Sequence, residues 1–255
     1  MSALHLRQWP GQADRPALAL HCMMGNASYW GAIAKALSDK VAIRAPDLPG
    51  HGQSPDWPGT PDFHTYTTRA VAPLIDRPMD LIGHSLGATV ALRIAVAAPE
   101  AVRSLTLIEP VLFAAAPDPA NDAVMRELSD LVAAGESEEA ARRFLSIWGG
   151  IDWDAQTPAG RERLIRQMAL VVAGNDTLMR DSANILRAGG LEAIDAPVMI
   201  LMGAQSPPVI GNIADALAAR LPDIGRARLP EAAHMLPITH TRQVAELIGM
   251  NLDRA

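Results

Sequence analysis

Gly83-His84-Ser85-Leu86-Gly87 is the stretch that leaves this chain the fewest folds to choose from. An apolar pair, Leu81 and Ile82, leads into it, and a small-residue segment leads out and stops at Pro99. That pattern is a strand, a tight turn and a helix. A helix folded back onto its own strand through so short a turn leaves little space for a Cβ at the flanking positions, and Gly83 and Gly87 remove it. Ser85 is then forced to the tip. The five-residue string alone is weak, because Gly and Ser are common; the flanking strand and helix give it weight.

The rest of the chain alternates in the same way. Leu4 to Trp9 reads as an edge strand, and Ala17 to Cys22 and Val41 to Ala45 as apolar strands buried on both faces. Between the last two, Ser28 is placed to cap a helix over about Tyr29–Leu37, and a helix over about Tyr66–Asp76, interrupted by Pro73, precedes the serine turn. Ser104 to Glu109 is a further strand, stopped by Pro110. From Val111 to about Gly190 strand candidates vanish. Helices are expected over Asp122–Ala134 and Ser137–Trp148, then one opened by Thr157-Pro158, then a weaker one over Asn175–Arg187. Strands return at Pro197–Gly203 and Arg226–Leu229, each followed by a helix, Val209–Leu221 and Thr239 to about Leu252. Alternation of this kind predicts an α/β, doubly wound, mostly parallel sheet, with an all-helical insertion.

Composition narrows the function classes. The chain has 255 residues, 49% of them hydrophobic, enough for a substantial core. A net charge of −6 without a Lys/Arg cluster argues against nucleic acid or an anionic membrane as partner, and leaves a small neutral or apolar substrate. No apolar run is long enough to span a bilayer. The single cysteine, Cys22, excludes an internal disulfide framework, and the N-terminal stretch does not read as a secretory signal, so a cytoplasmic monomer or homodimer is expected. Metal-ligand spacings, a phosphate loop and a dinucleotide fingerprint are missing from the pattern, so neither cofactor nor metal is expected.

The strand, turn and helix around Ser85 resemble the nucleophile elbow of the α/β-hydrolase superfamily, and the resemblance covers most of the chain. It implies a serine hydrolase with a core of residues 1–110 and 191–255 and a helical cap of residues 111–190. A serine hydroxyl needs a base and a group that orients the base. His234, in Ala232-Ala233-His234-Met235-Leu236 between the last strand and the last helix, lies where the family keeps its catalytic histidine. The family's usual Asp after the strand ending at Gly203 is missing; the sequence there reads Ala204-Gln205-Ser206-Pro207-Pro208. Some members carry the acid one strand earlier, which points to Glu109, with Asp47 as the other candidate. Oxyanion donors are expected at the backbone N–H of Leu86 and of Met23, the latter in a His21-Cys22-Met23 loop similar to the family's His-Gly-x, with Cys22 in place of Gly. Such a Cys takes positive φ at a cost. Met24, Trp30, Phe113 and Trp148 are candidate pocket walls. The implied activity is cleavage of a small, largely apolar ester, thioester or lactone, or of a carbon–carbon bond. Cofactor-free perhydrolysis or haloperoxidase chemistry, and a receptor-like binding protein with a vestigial site, remain open alternatives.

Overall fold

The computed structural model describes residues 3–255. Seven strands, β1 (Leu6–Trp9), β2 (Pro16–Leu20), β3 (Ala42–Pro46), β4 (Met79–His84), β5 (Val102–Ile108), β6 (Val198–Gly203) and β7 (Ile224–Leu229), form one sheet in the order β1-β3-β2-β4-β5-β6-β7. Only β1 runs antiparallel, pairing with β3 at the edge; the other pairs are parallel. The helices are α1 (Gly31–Ala36), α2 (Phe63–Val71), α3 (Leu86–Ala97), α4 (Pro119–Ala133), α5 (Ser137–Trp148), α6 (Pro158–Arg180), α7 (Pro208–Ala218), α8 (Leu236–Thr239) and α9 (Thr241–Leu252). Among the described residues no helix is long and apolar enough to cross a membrane.

The central strands β2, β4, β5 and β6 are buried on both faces because both faces are covered. Along β6, Val198, Ile200 and Met202 enter one core while Met199 and Leu201 enter the other, the two-residue period of a pleated strand. The first core receives α3, α7 and the inserted helices α4, α5 and α6; the second receives α1 and α9. This is the doubly wound, mostly parallel α/β sheet that the alternation predicts. Chain order reverses across β2 and β4, so the loops at their C-terminal ends face a crevice, the usual ligand position in open sheets of this kind.

Local chemistry shifts several expected boundaries. Asn26, not Ser28, caps the first helical turn, its side chain accepting from Ser28 N. The expected Tyr66–Asp76 helix starts earlier, at Phe63, because Asp62 accepts from Thr65 N, and its regular part ends at Val71, before Pro73. The largest correction lies in the insertion. The two expected helices from Thr157 and over Asn175–Arg187 are one continuous helix, α6, ending at Arg180. Gly174 and Asn175 do not break it: Gly174 faces Phe63 of α2, and Asn175 Nδ2 donates to Ser129 Oγ of α4 at 3.3 Å. Asp181 ends it, in the left-handed region at φ 51°, with its carboxylate accepting from Ile185 N and Leu186 N.

Candidate active site

β4 ends at His84, and Ser85 follows with φ 56° and ψ −117°, before α3 begins at Leu86. Holding a non-glycine residue there costs on the order of 1–3 kcal/mol, which the surrounding packing must supply. Ser85 N donates to Ile108 O of β5 at 2.9 Å. A Cβ on Gly83 would lie 2.4 Å from Gly87 O, and one on Gly87 would lie 2.3 Å from Leu20 O, so both glycines are required by backbone contact. These contacts aim the Ser85 side chain into the crevice.

β5 ends one residue earlier than the sequence pattern suggests. Glu109 lies just past it at φ 50°, fully buried, and its N–H donates to Leu201 O at 2.8 Å. Its carboxylate accepts three hydrogen bonds. Oε1 receives Gly203 N–H at 2.6 Å and Ser206 Oγ–H at 2.8 Å; Oε2 stands 2.9 Å from His234 Nδ1. In the tautomer that donates Nδ1–H to this carboxylate, the ring's lone pair is on Nε2. Ser85 and His234 line one cavity of about 290 Å³, whose exposed rim includes Gly149, Asp152 and Ile238.

Asp47, the other acid candidate, is committed elsewhere. Its carboxylate accepts from Ala27 N at 2.7 Å and Gln53 N at 2.8 Å, and pairs with His5 Nδ1 at 2.9 Å. Burial raises its pKa, but these donors outweigh burial and hold it below the usual carboxylate range. It pins the Pro49-Gly50-His51-Gly52 turn.

Two neutral histidines shape the loop after β2. His21 Nδ1–H donates to Cys22 O and Nε2 accepts from Leu48 N; His51 Nδ1–H donates to Pro49 O and Nε2 accepts from Met24 N. Burial lowers His21 to about 3 and His51 to about 4, each with smaller contributions from neighbours. The positive φ in this loop falls at Met24, φ 61°, and not at Cys22, so the Cys in place of the family's Gly carries no such strain. Burial also pushes the Cys22 thiol up to about 12, which leaves it un-ionised and unreactive. Met23 N and Leu86 N have no acceptor among the described residues.

Of the expected pocket walls, Met24 and Trp148 line the 290 Å³ cavity and Phe113 lines a smaller one beside it. Trp30 does not belong there. It is fully buried in the core on the opposite side of the sheet, with Ile33 and Val244. Two residues to which sequence reasoning assigned no role in the site also matter, Tyr29 and His84. Tyr29 lines the cavity, and its hydroxyl lies 3.1 Å from His84 Nδ1; His84 Nε2–H donates to His234 O at 2.9 Å. Burial and the neighbouring His234 hold the His84 pKa far down, so this bridge from the loop after β2 to the loop of His234 stays neutral. Among the described residues no group of three or more His, Cys, Asp or Glu could hold a metal ion.

A model of the alpha/beta hydrolase family matches residues 17–247, nearly the whole chain. The chain belongs to the alpha/beta hydrolase family. It is 33% identical to the pimeloyl-[acyl-carrier protein] methyl ester esterase of Methylococcus capsulatus, over 88% of this chain and 89% of that one. It is 28% identical to the enzyme of the same description from Neisseria meningitidis, over 92% of each. A thermophilic esterase from Thermogutta terrifontis superposes with a TM-score of 0.73 at 22% identity, covering 98% of this hydrolase and 93% of the other chain, a likeness of fold.

Proposed function

We propose that this α/β hydrolase is a cofactor-independent serine esterase that cleaves small, largely apolar carboxylic esters through Ser85, His234 and Glu109. One observation carries the reading: a buried carboxylate holds Nδ1 of a histidine whose ring shares a cavity with an elbow serine. Ser85 Oγ adds to the acyl carbon while His234 Nε2 takes its proton. The resulting oxyanion lies against Met23 N–H and Leu86 N–H, whose donors are otherwise unused; each such donor is worth about 3–4 kcal/mol in the transition state. His234 returns the proton to the departing alcohol oxygen as the C–O bond breaks, giving an acyl-Ser85 ester. A water then repeats the sequence, its proton passing through His234 to Ser85 Oγ as the carboxylic acid leaves. Glu109 fixes the Nδ1–H tautomer of the neutral ring and stabilises the imidazolium that forms when Nε2 takes the proton. The inserted helices of residues 111–190 act in this reading as a cap that roofs the site, since Phe144 and Trp148 of α5 are among its walls.

The relatives named as methyl ester esterases support ester hydrolysis over the rival chemistries. The missing Asp after Gly203 lends no support to a vestigial site, because Glu109 stands 2.9 Å from His234 in its stead. Fluorophosphonate labelling tests the reading: one adduct is expected, on Ser85, with both the adduct and p-nitrophenyl butyrate hydrolysis lost in Ser85→Ala. Labelling that persists in Ser85→Ala would refute it.

A further inference from the structure

Ser85 stands at the junction of two compartments, and His234 reaches only one of them. The 290 Å³ cavity contains both residues. The second, about 40 Å³, is walled by Ser85, by Met23 and Leu86 with their candidate oxyanion donors, and by side chains of the insertion that include Phe113, Met125 and Leu178; His234 is not among its walls. Apart from Ser85 and Asn175, those walls are apolar.

Acyl transfer decides which half of an ester lies in which compartment. The proton that His234 takes from Ser85 has to be handed to the leaving oxygen or sulfur, so the alcohol or thiol half lies on the His234 side. The acyl chain leaves the reacting carbon in the other direction. The small compartment lies there, against the oxyanion donors.

We propose that the 40 Å³ compartment is the acyl-chain site and that Met125 and Asn175 set its depth, selecting short, unbranched, apolar acyl groups carried on larger alcohols or thiols. The assignment rests on the serine-esterase reading. A space of that size takes about three water-sized groups, the chain of a butyryl group. Behind it, between α4 and α6, lies a groove of about 460 Å³ on the outer face, and Met125 and Asn175 line both spaces. The wall between them is therefore one side chain thick. Met125 is buried and unbranched, and Asn175 is held by its bond to Ser129 Oγ, which itself donates to Met125 O at 2.8 Å. Shortening either wall residue joins the compartment to the groove and gives a longer chain a way through.

The test is kcat/KM for p-nitrophenyl acetate, butyrate and octanoate in the wild type, Met125→Ala, Asn175→Ala and Ser85→Ala. The wild type is expected to favour butyrate over octanoate by about tenfold, and each wall variant to raise the octanoate-to-butyrate ratio about tenfold. Asn175 is only half-buried, so its variant keeps the test intact if Met125→Ala does not fold. A wild-type preference for octanoate, or a ratio unmoved in the folded variants, overturns the acyl-site assignment while leaving a Ser85-dependent esterase standing. Hydrolysis that survives in Ser85→Ala removes the serine mechanism, and the assignment with it.

Discussion

His21 and His51 are neutral by construction: each ring accepts a backbone N–H at Nε2, which a protonated imidazole cannot do. His64 is fully buried beside Arg93, and burial followed by that charge lowers it to about 3. All three sit well below their ordinary value of 6.5. As pH falls from 6.5, the unfolded chain binds protons at these positions and the folded chain does not, until each folded value of about 3 to 4 is reached. Stability is therefore present above that window and lost on descending through it, by up to about 1.4 kcal/mol per pH unit for each histidine. Urea unfolding at about pH 7 and about pH 5 should show a clear loss at the lower value, and His51→Gln should reduce the slope by about one proton. Equal stability at both would contradict the buried neutral histidines.

At the scale of elements, the elbow depends on backbone meeting backbone. Gly87→Ala places a Cβ 2.3 Å from Leu20 O and 2.7 Å from His21 O, which belong to the end of β2 and the loop after it and cannot give way separately. The substitution should cost about 3 kcal/mol or more, read as a lowered urea midpoint. Gly211→Ala in α7, with open space around the new Cβ, should be neutral or slightly stabilising. A Gly87→Ala protein as stable as Gly211→Ala would show that the elbow is looser than described. The glycines, the strand run and the small-residue helix of this element were all legible in the sequence because they answer local steric demands. The ends of α6 were not. Gly174 and Asn175 look like a break in isolation, but in the fold Gly174 lies against Phe63 and Asn175 donates to Ser129, partners on other helices that the local sequence does not show. Trp30 was misplaced for the same reason: an aromatic after the β2 loop can point to either face of the sheet, and its local sequence does not say which.

Across the whole molecule, the candidate site is assembled from strand ends that the fold brings together. Ser85 follows β4, Glu109 follows β5, and His234 follows β7, on the far side of the helical insertion and 125 residues from Glu109. The placing of Ser85 in a tight turn after one strand and of His234 in a loop after the last was legible from their local surroundings. The choice of Glu109 over Asp47 was open, since both end parallel strands, and it turns on packing: Asp47 spends its oxygens on Ala27, Gln53 and His5, whereas Glu109 faces Gly203, Ser206 and His234. The functional claim that rests on this assembly is that Glu109 orients His234 for Ser85. The direct measurement is kcat for p-nitrophenyl butyrate in Glu109→Gln, alone and combined with Ser206→Asp, which sets a carboxylate on the residue that now donates to Glu109 Oε1. The account predicts a loss of about a thousandfold to ten-thousandfold in the single variant, because an amide favours the wrong imidazole tautomer, and partial recovery in the double variant. A folded Glu109→Gln enzyme that loses less than about tenfold would contradict it.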